Sequence, residues 1–186
     1  MIVIASVCWA STAAAQDLMS LLKKGPVVSV ETKKNGKFES ATAVISINAD
    51  VDTVWKVITG YAKFKTFLPN VVESEVKTIT EYMVDVSYEV EVPGSNPEYT
   101  FRYILDPTRH TVTCGWKEGD LEGSFCKWRL VSVGPKQTLI YFTTASRNFS
   151  SLAQSLEDEQ QTITVGVNVS AALATVRAMK KRSEGR

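Results

Sequence analysis

The chain has 186 residues, 44% of them hydrophobic and 22% charged, which is enough to bury the core of one domain and too little for two comfortable ones. Its 21 lysines and arginines balance 20 aspartates and glutamates, and a net charge of +1 gives no electrostatic reason to expect a nucleic-acid partner. The short basic end at Lys180, Lys181, Arg182 and Arg186 suits a helix C-terminus, where the helix dipole favours cations.

In chain order, residues 1–15 carry no charge, run apolar from Ile2 to Ala10 and turn small through Ser11 to Ala15. The apolar stretch is shorter than the ~20 residues of a membrane span, and Ala13-Ala14-Ala15 before Gln16 satisfies the small-residue rule of a cleavage site. This reads as an export signal, though without a basic leading segment; an apolar helix packed on the domain is the alternative. Export predicts a periplasmic or extracellular form beginning near Gln16. Residues 16–26 follow as a lead-in helix that stops at Gly25-Pro26. A single domain is expected over 27–182, with a tail at 183–186.

From Val27 the pattern is β-type: Val27 to Thr32, a turn signal at Asn35-Gly36, then alternation through Ala43, Ile45 and Ile47. It predicts one long strand or a hairpin. Asn48 or Asp50 can cap the helix that follows, whose apolar stripe is Val51, Val54, Trp55 and Ile58. Gly60 closes it, Tyr61 to Leu68 forms a second short helix, and Pro69-Asn70 ends that one. Six strands with short turns come next, and neighbours in sequence usually pair, so an antiparallel meander is expected. The clearest alternation is Val84, Val86, Tyr88, Val90 and Val92 against Asp85, Ser87, Glu89 and Glu91. After about Ser151 the period becomes helical, with Val165, Val169, Ala172, Leu173, Val176 and Met179 on one stripe that the sheet must cover.

Few residues invite catalysis. The sole histidine, His110, lies in a turn and is expected at the surface; no zinc-type cluster or phosphate loop occurs, and Glu157, Asp158 and Glu159 suit a helix N-terminus. No cofactor is expected. A turn centred on Asp120 pairs Cys114 with Cys126, Trp116 with Ser124 and Val112 with Trp128. Facing cysteines in an exported protein invite a cross-strand disulfide; two buried free thiols beside Trp116 and Trp128 are the alternative.

The stretch I-N-A-D-V-D-T-V-W-K-V-I-T-G-Y-A-K-F-K-T-F-L-P-N-V-V-E-S-E-V resembles the first-helix signature of the START-like (Bet v 1-like, SRPBCC) superfamily, in its polyketide cyclase/dehydrase and coenzyme Q-binding branch. Gly60 stands where that branch usually has aspartate, and G-S-F-C-K-W-R-L at Gly123 to Leu130 is similar to its sixth strand. The resemblance implies an α+β helix-grip fold, in which a curved antiparallel sheet of about seven strands and two short helices hold one long C-terminal helix over a cavity. It implies an apolar ligand there: a lipid, sterol, quinone or polyketide. Tyr88, Tyr99, Phe101, Tyr103, Trp116, Trp128 and Tyr141 fall on faces expected to point inward, Trp55 and Phe64 are expected to help wall the cavity, and Val169 and Leu173 to face it from the C-terminal helix. The same aromatics would also serve to fill a solid core. Binding or transport of an apolar molecule is the leading expectation, with the Pro93 to Pro97 loop as gate and transient membrane contact compatible with the role. A cyclase-like enzyme and a ligand-free interaction module are the alternatives. The sequence carries no signal for oligomeric state.

Overall fold

A computed structural model describes residues 17–91, 96–147 and 160–185, so the export signal expected over 1–15 and the carboxylates at 157–159 lie outside the described residues. Residues 17–22 are helical (α1). Eight strands form one antiparallel sheet: β1 (Val27–Thr32), β2 (Phe38–Ile47), β3 (Val71–Ile79), β4 (Met83–Val90), β5 (Glu98–Asp106), β6 (Thr111–Gly119), β7 (Phe125–Gly134) and β8 (Gln137–Ala145). There are eight rather than about seven because Asn35-Gly36 turns the chain into a hairpin: Gly36 adopts φ 78° and the Asn35 side chain accepts from the Lys37 amide at 3.1 Å.

The strands lie in the order β1-β2-β8-β7-β6-β5-β4-β3, so β3 to β8 are the expected meander and β2 pairs with the last strand. The connection from β2 must therefore cross to the far edge of the sheet. Two short helices make the crossing, α2 (Val51–Ile58) and a 3-10 helix (Tyr61–Thr66). Asp50 caps α2 by accepting from the Thr53 amide at 2.8 Å, and Val54 and Ile58 enter the core. Between β6 and β7 the register pairs Cys114 with Cys126 and Val112 with Trp128, as a turn about Asp120 requires. Gly119 takes φ 83° in that turn, and a Cβ there would collide with the Glu98 carbonyl oxygen, so the position needs glycine.

The long helix α3 (Gln160–Ser183) packs along β2 and β8 and against α2. Ala172, Val176 and Met179 are fully buried in the main core with Ile45, Ile47 and Ile140, and Val165 and Val169 pack over Phe38, Ala41 and Ala145. Two polar clamps fix it. The buried Asn168 side chain accepts from the Ser146 amide at 2.7 Å and donates to the Ser146 carbonyl at 3.2 Å. At the other end Lys180 donates to the Ser46 carbonyl, and the Asn48 amide donates to Glu184 at 2.9 Å.

The sheet's other face is occupied differently. There Leu18, Met19 and Leu22 of the lead-in helix pack with Val44, Val131, Leu139 and Tyr141. Farther along, the buried Asp85 carboxylate accepts from Arg102 at 2.8 and 2.9 Å and from Lys117 at 3.0 Å, across three neighbouring strands. Hydrogen bonding from Arg102, then from Lys117, holds the carboxyl down to about 2 against the opposing effect of burial.

Candidate ligand cavity

Beside α3 the inner face of the sheet is left hollow, and the space is a cavity of about 530 Å³, within the usual range of small-molecule sites. Alternation on β4 and β5 supplies one wall: Tyr88 and Val90, then Tyr99, Phe101 and Tyr103. Trp128, Phe142, Cys126 and Thr144 continue it on β7 and β8, while Phe64, Leu68, Pro69 and Asn70 close the end near the 3-10 helix. Asn70 holds φ 64°, a left-handed turn that asparagine tolerates. The rings touch one another: Tyr99 and Phe101 have centroids 4.9 Å apart, Tyr88 and Tyr99 5.6 Å, Trp128 and Phe142 4.1 Å.

The α3 side of the cavity is lined by Gly166, Val167, Ser170, Ala171, Ala174 and Thr175. These small residues lie off the packed stripe and leave room where leucine or phenylalanine would fill it. Val167, Ser170 and Ala171 are exposed, so the cavity opens to solvent along this flank.

Among the described residues no charged side chain lines the cavity. Its wall holds a hydrogen bond of 2.9 Å between the buried hydroxyls of Tyr88 and Tyr103, each residue 5% exposed. The Tyr61 ring lies 4.4 Å from that of Tyr103, and its buried hydroxyl has no hydrogen-bond partner among the described residues. Burial pushes the phenols of Tyr61, Tyr88, Tyr99 and Tyr103 up from their ordinary value, so all four are neutral at physiological pH.

Of the residues expected at the cavity, Phe64, Tyr88, Tyr99, Phe101, Tyr103 and Trp128 line it. Five do not. Trp55 stands edge-on to His110 at 5.5 Å and packs against the main core. Trp116 turns to the β6–β7 turn, its indole N–H donating to the Gly119 and Asp120 carbonyls at 3.1 and 3.0 Å; a register shift at Thr100 and Phe101 accompanies this. Tyr141 faces the opposite side of the sheet, under α1 and Arg129, because β8 alternates with Ile140 and Phe142 inward. Val169 belongs to the packed stripe, and Leu173 stands half-buried off it. The apolar stripe of α3 grips the sheet, and the hollow lies on another flank. Among the residues that sequence reading missed are Phe142, legible from the β8 alternation, and the small residues of α3, which have no apolar signature.

Cys114 and Cys126 are joined in a disulfide with Cα atoms 4.9 Å apart, and Cys126 forms part of the wall. Pro97 lines the mouth, while residues 93–95 of the expected gate lie outside the described residues. His110 is partly exposed, with Nε2 3.5 Å from Asp52.

Similarity to known proteins follows the same lines. The aromatase/cyclase Zhui from Streptomyces sp. R1128 shares the fold at a TM-score of 0.70, with 20% identity over 80% of this chain and 94% of that one. A STAR-related lipid transfer protein from Xanthomonas axonopodis does so at 0.69, with 15% identity over 86% and 94%. Norcoclaurine synthase from Thalictrum flavum aligns at 0.56, with 20% identity over 86% and 96%. No curated protein matches the sequence. The sequence profile for polyketide cyclase / dehydrase and lipid transport matches residues 47–179, the span from the end of β2 to the core of α3. The chain belongs to that family, within the START-like superfamily.

Proposed function

We propose that this protein binds an apolar small molecule in the cavity between the β4–β5 aromatic wall and the small-residue flank of α3, and carries it. The observation that carries this reading is the wall itself: about 530 Å³ bordered by touching aromatic rings and, among the described residues, by no charged side chain. Buried apolar area would drive binding, and the few polar groups would orient the ligand. The names of similar proteins include both lipid transfer and aromatase/cyclase, so the family supports binding of apolar molecules more directly than any one reaction. The ionisable side chains among the described wall residues are tyrosines held protonated by burial, which favours binding over acid–base chemistry near neutral pH.

Exposed Ile163 and Val167 near the open flank support transient membrane contact during loading. Export to the periplasm or beyond remains part of the proposal, supported by the uncharged apolar N-terminus and by a disulfide that needs an oxidising compartment. Native mass spectrometry of the purified protein, followed by solvent extraction and titration of the extracted protein with an apolar fluorophore, tests the reading. One ligand per chain, or saturable uptake of the fluorophore at one site, is expected; a protein that neither carries nor takes up any apolar molecule would contradict it.

A further inference from the structure

In and behind the aromatic wall of the cavity, buried tyrosines bring together more hydrogen-bond donors than they use. Tyr88, Tyr103 and Tyr61 bring three hydroxyl hydrogens into one buried cluster, and a single hydrogen bond, between Tyr88 and Tyr103, is made within it. Only one of those two hydroxyls can donate in that bond, so the other keeps a hydrogen for a third oxygen. A buried donor left without an acceptor costs about 1 to 3 kcal/mol, and the ordinary remedy is an acceptor placed against it. Tyr88 and Tyr103 both line the cavity, so an acceptor can reach the pair from inside it.

We infer that the Tyr88–Tyr103 pair is a subsite for an uncharged acceptor oxygen, and that the ligand is a neutral carbonyl-, ether- or hydroxyl-bearing apolar molecule seated oxygen-first. This rests on the binding function proposed above. A carboxylate or phosphate head at the same place would be taken out of water with no cation among the described wall residues to meet it, a far larger cost than burying a carbonyl. Burial keeps the phenols protonated, so the subsite donates throughout the physiological pH range. The apolar body would lie among Phe64, Tyr99, Phe101 and Trp128 and point toward the open flank of α3.

A matched series separates this inference from the binding function itself: 2-acetylnaphthalene, its hydrocarbon counterpart 2-ethylnaphthalene, and 2-naphthoate, each titrated into the full protein by calorimetry or tryptophan fluorescence. In the wild type the ketone should bind about three- to tenfold more tightly than the hydrocarbon, the range of one net hydrogen bond. The carboxylate should be weakest. Tyr88→Phe with Tyr103→Phe should bring the ketone-to-hydrocarbon ratio near one; each single variant should lower the ratio partway. The inference is overturned if the wild type shows no ketone preference, if the double variant keeps the wild-type ratio, or if the carboxylate binds most tightly. Binding of the hydrocarbon without ketone preference would sink the subsite alone, whereas binding of none of the three would sink the subsite and the cavity function together.

Discussion

The two sides of α3 differ in how they meet the sheet. One carries Val165, Val169, Ala172, Val176 and Met179, lies on β2 and β8, and is filled to van der Waals contact. The other carries Gly166, Ser170, Ala171 and Ala174 and faces the aromatic wall of β4 and β5 across a hollow. The filled side supplies the apolar burial that holds the helix down, aided by Asn168 and Lys180 at its two ends. On the proposed reading, stability and binding fall to different flanks of one element, and each should be changeable with little effect on the other.

The largest effect should come from the filled side. Met179→Ala removes a side chain with no exposure and should cost about 2 to 5 kcal/mol of unfolding free energy in urea, with affinity per folded molecule for an apolar probe unchanged. A fall in affinity without a fall in stability would show that the two flanks are not separable. Next is the tie between β6 and β7, which forms part of the hollow wall. Replacing Cys114 and Cys126 by serine opens a bridge spanning 12 residues and should cost roughly 2 to 3 kcal/mol. Alkylation of the unreduced protein followed by peptide mass spectrometry should leave Cys114 and Cys126 unmodified; alkylation of both would refute the bridge.

A smaller effect concerns the opposite face of the sheet. Asp85 is depressed to about 2, first by Arg102 and then by Lys117. A carboxyl whose folded value lies below its unfolded value stabilises fully above the unfolded one, about 4, and loses that contribution as pH falls toward 2. Between pH 5 and 2 the wild type should therefore lose roughly 1 to 2 kcal/mol more than Asp85→Asn, a modest figure because Arg102 and Lys117 are 44% and 36% exposed. Parallel losses in the two proteins would remove Asp85 as the cause. Binding should follow neither curve while the protein stays folded.

Much of this division was readable in the sequence, and the reason it stopped where it did is physical. Asn35-Gly36, Asp50 and the alternation of β4 specify local geometry, and the structure follows them. The register of Cys114 on Cys126 follows from a turn about Asp120. Phe64, Tyr88, Tyr99, Phe101, Tyr103 and Trp128 could be assigned inward from strand alternation and the family resemblance. The α3 flank could not, because periodicity reports where large apolar residues recur and a hollow is made by small ones. The apolar stripe predicts Val169 and Leu173 at the cavity, whereas burial drives that stripe onto β2 and β8. Tyr141 and Trp116 were misdirected for local reasons, the phase of β8 in one case and a shifted register beside a glycine turn in the other.

The claim that the hollow side of α3 is the binding surface is tested most directly by Ala174→Leu. Ala174 lines the cavity and stands off the packed stripe, so the larger side chain should occupy the hollow while changing stability by no more than about 0.5 kcal/mol. Titration of the extracted wild-type protein and the variant with 1-N-phenylnaphthylamine should give one site per chain in the wild type and an affinity lowered at least about tenfold in the variant, equivalent to ~1.4 kcal/mol. Equal affinity in the two proteins, with melting temperatures unchanged, would contradict the account.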